Sequence, residues 1–225
     1  MTKFLLVVIA FLSFNVYSSA QQLSNFIAPR GYSKVLEAEG DLDKDGMPEV
    51  VYVYNTNKKD GQIGYFRVLY ICKLVGGKPK LWKENRTVLR SSSDCGFCVD
   101  EGIDLGLDVK NNTIVIEQTF NHNSRHYSTH KDIFRYQNGD WFLIGATFKE
   151  YDTCEFDYTY DINFSTKKVD VALTYGVCDG DEDKKMPEDQ YFKFKYPFKN
   201  LQKMDDFKPG KVELKIPNSK LFFYY

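Results

Sequence analysis

The sequence predicts a mainly β fold: a single domain of antiparallel meander strands, arranged as a sandwich, a barrel-like sheet or a partial propeller. Three observations carry this. Aromatic residues make up 16% of the chain, most of them Tyr and Phe, and they fall in runs with Val and Ile, residues that suit a pleated, half-buried surface. Turn signals such as Asp60-Gly61, Gly76-Gly77 and Asn138-Gly139 separate the runs, and Asp-Gly and Asn-Gly are the strongest short hairpin signals. The connections are too short for the crossovers that parallel strands require.

Taken in order, the first twenty residues read as a secretory signal peptide outside the fold. Lys3 supplies the positive start, Phe4 to Phe14 the apolar run, and Ser18-Ser19-Ala20 the small residues of a cleavage site. The run is short for a membrane span, and no later segment is apolar enough to replace it. The expectation is export to the periplasm or beyond, with no membrane span after cleavage. The remaining chain, 21–225, is long enough for one domain with a real core.

Ser24 to Glu39 is open to a short N-terminal helix. Val50 to Asn55 is the first strong strand. Asn57-Lys58-Lys59-Asp60-Gly61 turns into Tyr65 to Leu74, and Gly76-Gly77-Lys78-Pro79 turns into Lys80 to Leu89. Ser91-Ser92-Ser93 opens a loop holding Cys95 and Cys98. Leu105 to Val109 and Thr113 to Phe120 flank Lys110-Asn111-Asn112. Lys131 to Tyr136 and Trp141 to Phe148 flank Asn138-Gly139. Phe156 to Phe164 and Lys168 to Tyr175 flank Ser165-Thr166-Lys167. Met186 to Lys193 is the second stretch open to helix. Asp179 to Asp189 is a charged loop rather than a linker, so no domain boundary is expected.

The formal net charge is −1, which argues against nucleic acid as a partner, since that needs a basic surface. The five cysteines are Cys72, Cys95, Cys98, Cys154 and Cys178. Export makes disulfides plausible. Cys154–Cys178 is the favoured pair because it would clasp a hairpin region, Cys95–Cys98 is the second, and Cys72, inside an apolar strand, is expected to be a buried free thiol.

One segment carries chemistry: Asp41-Leu42-Asp43-Lys44-Asp45-Gly46-Met47-Pro48-Glu49, running into Val50-Val51-Tyr52. Carboxylates at alternate positions can curl around one hard cation, Gly46 permits a sharp turn, Pro48 holds Met47 extended, and Glu49 closes the ring. The expected ligands are Asp41, Asp43, Asp45, Met47 through its carbonyl, and Glu49, with calcium as the ion in a structural role. Packed carboxylates repel one another, which makes a cation attractive. The alternative is a solvated acidic turn. An EF-hand is excluded on two grounds: Tyr52 stands where the bidentate Glu belongs, and a strand rather than a helix follows. An Asp-x-Asp-x-Asp-Gly loop that opens a strand resembles the calcium loops of FG-GAP and VCBS-type β-repeats. That resemblance implies calcium at a strand edge and no particular activity.

A wider resemblance rests on Cys95-Gly96, on Leu107 to Ile116, on Phe134-Arg135-Tyr136 and on Trp141-Phe142-Leu143-Ile144-Gly145. Together they are similar to a family of small exported bacterial β proteins of unassigned function. Members carry a Gly/Ser- and Trp-rich turn where this chain has Asn121 to His130, without tryptophan. The resemblance implies a β fold and an exported setting.

The other candidates are weaker. His122, His126 and His130 are spaced by four, but residues four apart on a strand lie roughly 13 Å apart, too far to share an ion. Cys95-Gly96-Phe97-Cys98 has redox-motif spacing, yet acids follow where a helix N-terminus would be needed to activate a thiol. Asp179-Gly180-Asp181-Glu182-Asp183 lacks the glycine after its third Asp and reads as a solvated loop. No nucleophile elbow, phosphate loop or zinc-hydrolase motif appears. Tyr127, Trp141 and Tyr151 could line a sugar or peptide groove or simply form cross-strand pairs. Asn85, Asn111 and Asn163 stand in glycosylation sequons. The expectation is an exported, calcium-stapled binding protein without catalytic activity, recognising a protein or a cell-envelope component, one concrete form being a periplasmic immunity or inhibitor protein. The competing expectation is an envelope hydrolase with an unidentified carboxylate pair.

Overall fold

The computed structural model describes residues 23–97, 104–180 and 183–225; the expected signal segment 1–20 lies outside them. The first sheet is an antiparallel meander of β1 (Ser33–Gly40), β2 (Glu49–Asp60), β3 (Gly64–Val75) and β4 (Lys78–Asn85). The second is a longer meander of β5 (Leu105–Lys110), β6 (Thr113–Asn121), β7 (His126–Gln137), β8 (Asp140–Asp152), β9 (Phe156–Asn163), β10 (Lys168–Tyr175) and β11 (Gln190–Lys195). A 3-10 turn, Met204–Asp206, leads to a small hairpin of β12 (Glu213–Lys215) and β13 (Phe222–Tyr224). Neither sheet closes into a barrel.

The two sheets and the C-terminal segment share one core. Val51, Val53, Leu69 and Ile71 of the first sheet meet Ile114, Ile116, Phe134, Leu143 and Ile162 of the second, with Met204, Phe207, Leu214 and Phe223 closing the space. Residues 50–54 of β2 and 68–72 of β3 are buried on both faces, which explains these unbroken apolar runs. On the far face Tyr54, Val68, Tyr70 and Cys72 form a second cluster under Phe26 and Tyr32.

That second cluster corrects the expected N-terminal helix. Phe26 stacks on Tyr52 with centroids 5.5 Å apart and on Tyr70 at 4.8 Å. Its N–H donates to the Pro79 carbonyl, and Leu81 N–H donates to the Ser24 carbonyl. Extended backbone meets these partners and leaves residues 33–40 to pair with β2. The segment 186–193 is likewise not helical: it runs through a loop into β11, where Phe192 and Phe194 alternate with exposed lysines.

The sheets are joined by polar contacts as well. Arg67 on β3 forms a two-pronged pair with Asp104, at 2.6 and 3.1 Å, with both side chains nearly fully buried. Asn112 Nδ2 donates to the Asp41 carbonyl at 2.6 Å, so the turn between β5 and β6 braces the acidic loop. Of the sequon residues, Asn85 is buried, and its Oδ1 accepts the N–H groups of Thr87 and Val88 while Nδ2 donates to the Met204 carbonyl. It is a turn-forming residue with no room for a glycan. Asn111 and Asn163 are exposed.

Candidate metal centre

The acidic loop connects β1 to β2, and its geometry follows from its residue types. Leu42 is 1% exposed and inserts into the core, which pins the loop between its two outward-facing neighbours. Asp41 Oδ1 accepts the Lys44 N–H at 2.6 Å and Oδ2 the Gly46 N–H at 3.3 Å. Asp45 Oδ1 accepts the Met47 N–H at 2.8 Å. These are the local side-chain-to-backbone bonds by which aspartates shape turns. Gly46 has φ +83°, a conformation in which a side chain would be strained.

Three of the five expected ligands converge. One carboxylate oxygen from each of Asp41, Asp43 and Glu49 lies within 4.8 Å of the other two. Asp45 sits at the rim, its side chain about half exposed. Met47 has an exposed side chain. Glu49 is 1% exposed, and its Oε2 accepts the Leu42 N–H at 2.8 Å. Burial pushes the Glu49 carboxyl above its ordinary value; the Leu42 N–H opposes this and the charge of Asp43 adds to it. The Met47 N–H, followed by Lys73, holds Asp45 below the ordinary carboxylate value.

Sequence reasoning missed the residue opposite them. Lys73 on β3 pairs in register with Glu49. Its ammonium bonds Asp43 Oδ2 and lies 3.3 Å from Asp45 Oδ2 and 3.7 Å from Glu49 Oε1. It also stands 4.7 Å from the centre of the Trp82 ring. Burial alone would lower the Lys73 value, but the hydrogen bond and charge of Asp43 outweigh it and hold the group above its ordinary range. The only signal was the strand register, which a linear pattern does not give. An all-oxygen anionic donor set fits a hard cation such as calcium, and the Lys73 ammonium already brings one positive charge to those oxygens. Asp41, Asp43 and Glu49 would hold the ion, with Asp45 at the rim and the Lys73 ammonium beside Asp43 sharing their charge. The ion would supply charge neutralisation and a crosslink between the loop and the start of β2.

The second acidic run is only partly described. Asp179, Gly180 and Asp183 are exposed, and Asp181 and Glu182 lie outside the described residues. Among the described residues, no group of metal-capable donors includes a histidine. His122 Nε2 is 2.9 Å from Ser128 Oγ, His126 approaches Asp152, and His130 is buried against Phe148. The expected Cys95–Cys98 pairing falls on Cys98, outside the described residues. Cys154 and Cys178 form the disulfide expected of them. Cys72 is a free buried thiol, and burial pushes it up to about 12. Tyr127 and Tyr151 stack across strands at 5.2 Å, and Trp141 is buried beside Trp82 and Tyr136.

Two polar clusters on the second sheet were not anticipated. At one end, Asp152 Oδ1 accepts from Arg125 Nη2 and from the N–H groups of Cys154 and Glu155, each at 2.9 Å. The Arg125 bond, opposed by burial and helped by the two backbone donors, holds this carboxyl far below its ordinary value. His126 Nε2 lies 2.8 Å from Oδ2 without the alignment of a hydrogen bond. Further along β7, His130 and Asp132 are buried on the core-facing side.

Comparison with family models, with curated proteins and with solved structures finds no match to this chain.

Proposed function

We propose that this protein is an exported, calcium-stapled binding protein without catalytic activity. The observation that supports it is the convergence of Asp41, Asp43 and Glu49 where the chain turns from β1 into β2. A divalent cation there offsets the charge of these carboxylates and ties together the two ends of the loop that joins β1 to β2. The Cys154–Cys178 disulfide suits an exported chain. Two ion-pair and disulfide clamps, a shared core and a stapled loop make a rigid frame, which favours recognition of a preformed surface with little ordering cost. The partner is a protein or a cell-envelope component, and an immunity or inhibitor role is the concrete form of the proposal.

Thermal unfolding with and without millimolar calcium tests the ion. The wild type is expected to melt at a higher temperature with calcium, and the Asp43→Ala/Asp45→Ala double variant to lose that rise. A wild type indifferent to calcium defeats the stapling. Co-purification from the exported fraction, with and without chelator, then tests the partner: a stoichiometric companion lost on chelation is the expected result.

A further inference from the structure

The most unusual group in the molecule lies away from the acidic loop. Asp132 on β7 is 1% exposed, and among the described residues neither of its carboxylate oxygens meets a hydrogen-bond donor. Strand alternation puts Ser128, His130, Asp132 and Phe134 on one buried face. The C-terminal segment crosses that face. The Phe207 ring sits on the Phe134 ring at 5.7 Å. A Cβ at Gly210 would lie 3.4 Å from the His130 ring and 3.6 Å from Arg90 Nη2. The chain from Phe207 to Gly210 therefore spans the interval between Phe134 and His130, and Asp132 lies beneath it.

The surroundings of Asp132 are short of charge. On β6 its neighbour is Ile116, with Gln118 opposite His130. Both ends of the Gln118 amide are occupied, by the Arg90 N–H and the Val88 carbonyl. On β8 the neighbours are Ala146 and Phe148. On β7 itself the nearby titratable group is His130. From the loop after β4 comes Arg90, whose Nε is 4.0 Å from Asp94. From the C-terminal segment come Phe207 and Gly210, while the side chains of Lys208 and Lys211 on either side are exposed. A carboxylate here would be an ion without donors, the arrangement that proteins avoid by keeping the proton.

The cover is tied to the first sheet at its start, where the Met204 carbonyl accepts from Asn85 Nδ2 and Thr87 Oγ1 and Asp205 pairs with Lys83. Its links to the second sheet are the bridge between Phe142 and Lys203 and the Leu143 N–H to the Gln202 carbonyl. Past Asp206 what holds it to the sheets is side-chain burial, with Phe207, Leu214, Ile216 and Phe223 each at most 3% exposed. We propose that Asp132 is a proton-operated latch: as the neutral acid it lets residues 204–225 seal the core, and on losing its proton it draws in water and releases that segment.

The direction of the effect follows from the two titrating groups of this face. Burial raises Asp132 from 3.8 to about 8, with Arg90 opposing. The folded form therefore keeps a proton that the unfolded chain has lost, and stability falls as pH rises from about 4 to about 8. Burial, with Arg90 adding, lowers His130 from 6.5 to about 3. The unfolded chain then binds a proton that the fold does not, so stability falls as pH drops below about 6.5. Between about 4 and 6.5 the two slopes oppose each other, and from about 6.5 to 8 Asp132 acts alone. The latch thus works in the neutral to mildly alkaline range.

Hydrogen exchange, corrected for the intrinsic effect of pH, tests this on the intact chain. Protection over 204–216 is expected to fall by up to about tenfold per unit of pH between about 6.5 and 8 in the wild type, while β9 and β10 stay protected. In Asp132→Asn the same segment should keep its protection throughout. If Asp132→Asn shows the wild-type slope, or if all strands lose protection together, the latch is wrong. Should the variant not fold, the wild type answers by infrared spectroscopy. The carbonyl stretch of a buried neutral carboxylic acid must be present near pH 6 and vanish by about pH 9; its absence near pH 6 overturns the proposal.

Discussion

Asp132 and Asp152 sit on adjacent strands of one sheet, both hidden from solvent, and they take opposite charge states. Asp152 ends β8 and collects a guanidinium and two backbone N–H groups on one oxygen, so it stays ionised far below its ordinary value. Asp132, mid-strand on β7, collects no donor among the described residues and is pushed up to about 8 by burial. The lesson is that burial alone does not set the state of an acid; the number of donors aimed at it does. Position explains the donor count. A strand end offers backbone N–H groups released from the ladder, whereas mid-strand every N–H is already paired.

The contrast is broken most strongly by removing the frame that brings the donors to Asp152. Cys154→Ser/Cys178→Ser opens a loop of 24 residues in sequence separation, and chain-entropy reasoning puts the loss at roughly 3 kcal/mol. Urea unfolding under oxidising conditions measures it, and an unchanged midpoint would mean that the clamp does not depend on the crosslink.

Next comes the carboxylate itself. Asp152→Ala leaves two backbone N–H groups without their acceptor and should cost about 2–3 kcal/mol. Because the folded Asp152 value lies below the ordinary 3.8, its stabilisation is complete above about pH 4 and is lost as pH falls further. The acid limb of the stability profile should therefore flatten in the variant. A steep limb that survives would assign it to other carboxylates.

The smallest effect sharpens the comparison. His126 is about half exposed and poorly aligned with Asp152, so His126→Ala should cost under about 1 kcal/mol. It should also leave the Asp152 carboxyl ionised, since Arg125 and the backbone donors remain. Carbon-13 NMR of that carboxyl checks this directly, and a titration moved into the ordinary carboxylate range would show that the histidine, not the arginine, dominates.

Much of this architecture was legible in one dimension. The strands from Val50 to Tyr175 were recognised because alternation and Asn-Gly or Asp-Gly turns are local properties, and the Asp41–Glu49 loop because alternate aspartates closed by a glycine form a local pattern. The Cys154–Cys178 pair was readable for the same reason, since its residues flank a single hairpin. Ser24 to Glu39 is open to helix in the sequence because its pattern is weak, and the contacts of Phe26 and the pairing of residues 33–40 with β2 decide the matter. Lys73 and Arg125 are invisible as partners in one dimension because each meets its carboxylate through strand register or a loop crossing.

The sequence by itself determined the β class, the meander order of its hairpins and the anionic loop, because each is written in residues that lie close together along the chain. Only the tertiary structure decided which carboxylates gain donors and which do not. It placed Lys73 among the loop acids, gave Arg125 to Asp152, and laid the C-terminal segment over Asp132. Those outcomes rest on contacts between residues far apart in sequence, and solvation, which sets the charge of an acid, is a property of the folded surroundings and not of the residue.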